Sequence, residues 1–215
     1  MSESARTARF DDGRPLDALG LRTATAARGT LRPAGRVLRS PTPRCRQTAD
    51  ALGLSPHADD EPALAPCAMG RWRGRTLDEV AAAEPDAVGR WLTDPDAAPH
   101  GGEPLRSLLD RVAGWLDALA LRDGGSDGDG PARLIAVVEP EVVRAAALHA
   151  LGAPASAFRR LDVAPLTATE FSGRAGRWNV RCGTPLGGPA GQGDLAHPGH
   201  RAQDPGAAPL PAPQG

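Results

Sequence analysis

Apolar residues recur at three- and four-residue steps from Leu105 through Leu108, Leu109, Val112, Trp115 and Leu116 to Leu119. That stripe predicts an amphipathic helix packing one face on a core, with Trp115 as a structural member of it. A shorter helix is expected from about Arg44 to Leu52, closed by Gly53 as a C-cap. Thr76 followed three residues on by Glu79 forms a capping box at the start of another, and Pro85 divides that helix from a second one carrying Trp91. Strand patterning is sparser: Arg36 to Arg39, Leu134 to Val138, Thr167 to Phe171 and Trp178 to Val180. After Glu139, Pro140 suits a first helical turn, and Val142 to Leu151 reads as helix up to Gly152. Strands alternating with helices predict an α/β three-layer sandwich with a mainly parallel sheet.

The chain of 215 residues suits one domain with a sizeable core followed by a tail. We expect the domain to occupy residues 1–182. Residues 183–215, almost half Gly or Pro, are expected to be disordered, because so few large apolar side chains cannot offset the entropy of ordering. Asp123 to Gly130 reads as a flexible loop by the same argument, and His197 and His200 fall in the tail. A net charge of −1 gives no overall attraction to nucleic acid or to an anionic membrane. All 25 basic residues are Arg, which fits biased codon usage better than a demand for guanidinium chemistry. Cys45, Cys67 and Cys182 lack metal-ligand spacing and are odd in number, so they read as reduced thiols. No apolar run approaches bilayer length and no signal-peptide pattern opens the chain, so a cytoplasmic protein is expected.

The candidate chemistry starts at Glu139. In open α/β sheets ligands bind at the carboxyl ends of the strands, and the run Leu134 to Val138 delivers a carboxylate to that edge. Glu141 lies in the following first helical turn, where the helix dipole alone favours negative charge. The two acids offer too few oxygen donors for a convincing divalent-metal site, and no cofactor is implied. His149 reads as packed or solvated, and Arg144 as an ion-pair partner available to Glu139.

Four stretches in order, Pro15–Gly20 (PLDALG), Ser40–Leu52 (SPTPRCRQTADAL), Gly70–Val80 (GRWRGRTLDEV) and His100–Val112 (HGGEPLRSLLDRV), resemble the histidine phosphatase superfamily, the phosphoglycerate mutase-like fold. That resemblance implies phosphoryl transfer through a phosphohistidine: an Arg-His-Gly motif after the first strand, arginines on the phosphate, a glutamate acid and a second histidine. Arg44 stands where the family binds phosphate. The first strand and its Arg-His-Gly motif are missing from the chain, Pro66 stands where the acid is usual, and Glu139 replaces the second histidine. Trp72, Gly74 and His100-Gly101-Gly102-Glu103 fall in family motifs near the site, and Arg46 should face away from Arg44.

The resemblance with these departures implies a catalytically degenerate member acting as a binding or regulatory protein. Glu139 either pairs with Arg44 and closes the pocket, or leaves it open to a small polar, zwitterionic, cationic or anionic ligand. The competing reading is an enzyme: a phosphatase of the α-ribazole phosphatase kind whose missing residues lie upstream, or an altered chemistry with Glu139 as acid or base. An absent central strand further implies a compromised sheet, or residues 1–14 filling the gap.

Overall fold

The computed structural model describes residues 9–123, 133–174 and 177–187. Three strands, β1 (Arg36–Arg39), β2 (Ala58–Asp60) and β3 (Leu134–Val137), form a parallel sheet in the order β2-β1-β3. The register pairs Val37 with Ala58 on one side and with Ile135 on the other. The helices are α1 (Ala18–Ala26), α2 (Pro43–Leu52), α3 (Leu77–Ala83), α4 (Pro85–Thr93), α5 (Leu105–Asp123) and α6 (Pro140–Leu151). An antiparallel hairpin, β4 (Thr167–Arg174) and β5 (Arg177–Pro185), closes the described chain, with a register shift between Ala168 and Glu170.

The alternation of side chains along β1 builds the layers. Val37 points to one face, where it packs with Ala49 of α2, Ala58, Ile135 and Val137. Leu38 points to the other and joins the larger cluster of Leu108, Val112 and Leu116 from α5 with Val142, Ala145, Ala146 and Leu148 from α6. The sheet therefore lies between α2 and the α5–α6 pair, the α/β sandwich that the periodicity predicted. A third cluster gathers Trp72, Val80 and Val88 with Phe10 and Trp91.

Local signals set the element ends as expected. Thr76 and Glu79 complete a capping box on α3, and Gly53 closes α2 at φ 81°, where glycine carries no Cβ penalty. Pro85 opens α4 directly after α3, and Pro140 sits in the first turn of α6, which ends at left-handed Gly152.

Three features differ from the sequence reading. Helix α1 and strand β2 were not expected. Helix α1 exposes Leu19 and Leu21, each 46% accessible, while burying Gly20 and Ala24, so its pattern runs against the usual amphipathic signal. Strand β2 is a three-residue Ala-Asp-Asp segment that pairs with β1 through its backbone and through Arg39, whose Nε donates to Asp60 Oδ1 at 2.7 Å. Strand β5 continues to Pro185, three residues into the stretch read as tail, because its ladder with Thr167 and Ala168 supplies backbone partners that composition does not show. Asp123, read as the start of a loop, is the last residue of α5, while the rest of that loop, 124–130, and the tail from 188 onward lie outside the described residues.

Among the described residues, β3 pairs with β1 alone, and all four of its residues stay partly exposed. Residues 9–14 do not complete the sheet. Arg9 instead bridges Thr76, the Phe10 N–H donates to the Arg75 carbonyl at 2.9 Å, and the Gly74 N–H donates back to the Phe10 carbonyl at 3.2 Å.

We expect Leu108→Ala, in the centre of the larger cluster, to cost about 2–5 kcal/mol, and Leu151→Ala, 63% exposed, to stay within about 0.5 kcal/mol of wild type. Urea unfolding followed by far-UV circular dichroism measures both; equal effects would mean that the core is elsewhere.

Candidate functional site

The loop after β1 and the start of α6 meet at the carboxyl edge of the sheet. Ser40, fully buried, donates its N–H to the Val137 carbonyl at 2.9 Å, which ties the end of β1 to the end of β3. Thr42 then caps α2 by accepting the Cys45 N–H, at 3.2 Å. Arg44, in the first turn of that helix, is aimed back across the strand ends.

There Arg44 meets Glu139. Its Nε and Nη2 donate to Glu139 Oε1 at 3.2 and 3.0 Å, and the Thr42 hydroxyl donates to the same oxygen at 3.0 Å. Nη2 also donates to Asp11 Oδ1 at 2.6 Å, Nη1 reaches the Arg14 carbonyl at 3.4 Å, and Asp12 lies at 4.0 Å. The arginine side chain is 11% exposed and that of Glu139 14%. Burial alone would lower the Arg44 pKa, but attraction to Glu139 and the bonds to Asp11 outweigh it, so the group is raised and stays a cation. One guanidinium is thus held by two carboxylates with a third in range.

Beside this clamp lies a cleft of about 520 Å³ lined by Asp11, Thr42, Pro66, Cys67, Met69 and Arg73, among others. Its far wall is the 65–70 segment, held from behind by Glu141, whose Oε1 accepts the Cys67 N–H at 2.6 Å. Arg111 fastens the same segment by donating to the carbonyls of Ala63 and Ala65 at 2.8 and 3.1 Å, while Glu103 Oε2 pairs with its Nη2 at 2.8 Å. Gly70, at φ 47°, packs against the carbonyl of His100 and the backbone of Gly101 and Gly102, a place no Cβ could occupy.

Burial pushes the Glu141 carboxyl up to about 7, with Glu139 and Asp11 adding to the rise against the Cys67 N–H. Burial also pushes both Cys45 and Cys67 up to about 12, reinforced by Glu139 for the first and by Glu141 and Glu103 for the second. Neither thiol is activated as a nucleophile.

The sequence-derived candidates sort as follows. Arg44 and Glu139 are brought together. Arg46 faces away and pairs with Asp60. Arg144 does not pair with Glu139, since its Nε donates to the Leu161 carbonyl at 2.7 Å. His149 pairs with Asp117 on the surface. Trp72 is fully buried, and His100, 1% exposed, packs edge-on against it at 5.2 Å while its Nδ1 accepts the Gly102 N–H at 3.0 Å. Burial, then Arg71, lowers the His100 pKa, so it is a neutral packing residue rather than a border of the cleft. Glu139 and Glu141 serve separate partners, and among the described residues no group of three or more His, Cys, Asp or Glu is placed to hold a metal ion. No described helix is long and apolar enough to cross a membrane. Asp11 and Thr42 were missed. The hydroxyl-before-Pro-Arg pattern was a legible N-cap signal for Thr42, whereas nothing near Asp11 in sequence marks it as a partner of a residue 33 positions away.

A parallel sheet between helical layers, with an arginine at the carboxyl ends of its strands, defines a protein of the α/β sandwich class. The chain belongs to the histidine phosphatase superfamily (branch 1), which it matches over residues 3–183. Solved structures agree at the level of the fold. A protein titled mycobacterial hydrolase 1 superposes with a TM-score of 0.73 at 22% identity, covering 86% of this chain and 94% of that one. Mycobacterial glucosyl-3-phosphoglycerate phosphatase, in a complex with VO3, gives 0.72 at 23%, covering 86% and 94%. The α-ribazole phosphatase from Shigella flexneri gives 0.74 at 17%, covering 86% and 93%. No curated protein sequence matches the chain.

The raised Glu141 pKa sets a pH dependence. Between the unfolded carboxyl value and about 7 the native state binds more protons than the unfolded state, so stability is full at the acid end of that window and falls as pH rises through it. Glu141→Gln, which keeps an acceptor for the Cys67 N–H, should flatten this slope and melt higher than wild type at pH 8. Thermal unfolding across pH 4.5 to 8 measures it, and parallel profiles for the two proteins would show that Glu141 is ionised throughout.

Proposed function

We propose that this chain is a catalytically degenerate member of its superfamily that acts by binding, with phosphohistidine chemistry absent. One observation carries the reading: the phosphate-position arginine, Arg44, is already occupied by Glu139 and Asp11. A carboxylate on that guanidinium takes the place of a substrate oxygen, with the Thr42 hydroxyl supplying a further donor. For a phosphoryl group to enter, it must displace Glu139 or sit beside it. Each contact between like unit charges at about 4 Å costs about 4 kcal/mol at an effective dielectric near 20, and two carboxylates stand there against one guanidinium.

Two further features support it. Pro66, at the usual place of the family's proton donor, contributes only ring and backbone to the cleft wall. Among the described residues no imidazole reaches the cleft: His57 follows α2, His100 is packed under Trp72 and His149 is on the surface with Asp117. The cleft itself, walled by Pro41, Pro43, Pro66 and Met69 and edged by Asp11 and Arg73, suits a small polar ligand with an apolar body in the cytoplasm.

The test is turnover. Purified protein should give no Arg44-dependent hydrolysis of p-nitrophenyl phosphate, glucosyl-3-phosphoglycerate or α-ribazole phosphate. An Arg44-dependent affinity for orthophosphate should be absent from wild type and appear in Asp11→Asn/Glu139→Gln, with a gain of at least about tenfold. Hydrolysis by wild type that Arg44→Ala abolishes would overturn the reading and favour an active phosphatase.

A further inference from the structure

The segment that carries Asp11 runs beside the turn that carries Arg73. Arg9 bridges Thr76, the Phe10 N–H donates to the Arg75 carbonyl at 2.9 Å, and the Gly74 N–H donates to the Phe10 carbonyl at 3.2 Å. Arg73 itself closes the short 3₁₀ turn Gly70–Trp72, its N–H donating to the Gly70 carbonyl at 3.2 Å. Gly13 meets both charged side chains. Its N–H donates to Asp11 Oδ1 at 3.1 Å, and at φ 74° it leaves open to Arg73 Nη2 the space that a Cβ would fill.

Asp11 and Arg73 line the same cleft of about 520 Å³, and among the described residues that line it they are the two that carry charge, one of each sign. Arg44 is not part of that lining. Asp11 commits Oδ1 to Arg44 Nη2 at 2.6 Å as well as to the Gly13 N–H, and among the described residues its Oδ2 accepts no hydrogen bond. The neighbouring Asp12 is held by Arg14 at 3.2 Å and stands outside the lining. Pro41, Pro43, Pro66 and Met69 make the rest of the wall largely apolar.

A ligand of one charge gains from one of the two groups and is opposed by the other, whereas a zwitterion meets each with its opposite. An α-amino acid carries its ammonium and carboxylate on a single carbon, a separation that suits two charges gathered about one glycine. We propose that the cleft binds an α-amino acid with an apolar side chain: its carboxylate on Arg73, its ammonium on Asp11 Oδ2 and its side chain along the proline and methionine wall. The planar guanidinium offers paired N–H donors to a carboxylate. This assignment rests on the binding function proposed above and names the ligand class for that cleft.

Calorimetric titration of the full chain at about pH 6 and low ionic strength, with L-methionine, L-leucine and L-phenylalanine, tests it. Saturable binding of at least one is expected. Its N-acetyl derivative, which keeps only the carboxylate charge, and its methyl ester, which keeps only the ammonium, should each bind wild type about tenfold or more weakly. Arg73→Gln should weaken the free amino acid about tenfold and leave the methyl ester unchanged, since only the former brings a carboxylate to that position; Arg46→Gln, at the Asp60 pair, should change neither. If Arg73→Gln lowers the melting temperature, the charge-deleted derivatives on wild type decide by themselves. The proposal is overturned if wild type binds none of the three saturably, if either derivative binds as tightly as its parent, or if Arg73→Gln leaves the parent unchanged or weakens parent and methyl ester alike. Such a failure without phosphatase turnover overturns the ligand class alone, whereas Arg44-dependent hydrolysis overturns the function on which it rests.

Discussion

A guanidinium brought to the end of a parallel sheet and shielded from water must find negative charge, and that requirement at Arg44 organises the surrounding structure. Its side chain is 11% exposed, and a cation so placed is tolerated only when paired and hydrogen-bonded. In a phosphate-binding member of this fold a ligand can meet that need. Here the chain meets it with its own atoms, from two directions: Glu139 arrives from the end of β3, and Asp11 from the N-terminal segment. On the function proposed above, the carboxylate that neutralises the arginine takes the place of a phosphate oxygen, and stabilising the fold and excluding a phosphate would then be one interaction.

Delivery of Asp11 depends on packing some distance from the charges. Phe10 packs against both Trp72 and Trp91, with ring centroids 5.6 and 5.5 Å away, and its backbone is tied to Gly74 and Arg75. The aromatic cluster anchors the segment one residue before Asp11, leaving the carboxylate little freedom to leave Arg44. Trp72 and Trp91 meet edge-on at 5.7 Å, an arrangement that aromatic quadrupoles favour. Trp91 also carries Arg159, whose guanidinium carbon stands 3.7 Å from the ring centroid. One hydrophobic cluster thereby positions both the segment that brings Asp11 to Arg44 and the Arg159 side chain.

What the sequence made legible follows from the range of the signals. Helices α2, α3, α5 and α6 announce themselves through periodicity, caps and punctuation within one or two turns, and Glu139 is visible because a five-residue apolar run places it at a strand end. Helix α1 buries Gly20 and Ala24 while leaving leucines outside, and strand β2 consists of Ala-Asp-Asp; both owe their form to neighbours brought from elsewhere in the chain. The same holds for Asp11, which reaches Arg44 across 33 positions, and for the 65–70 wall, which Glu141 holds across 74. No local pattern encodes such pairings, whereas the family's ordered motifs did point to Arg44 and to the replaced histidine.

An all-arginine basic complement weakens any inference drawn from residue type, because every basic position of the chain carries a guanidinium whatever its role. Partners carry the information instead. Arg46 beside Asp60, 46% exposed, is a surface pair of the kind worth little in water. Arg111 is part-buried, bidentate on Glu103 and bonded to two carbonyls, so it is a structural fastener whose loss would free the cleft wall. Arg44 is part-buried and oversupplied with carboxylates, whereas Arg144 and Arg159 are held without any described ion pair. Guanidinium groups of identical chemistry thus fall into distinct roles according to how much negative charge the protein has placed around each.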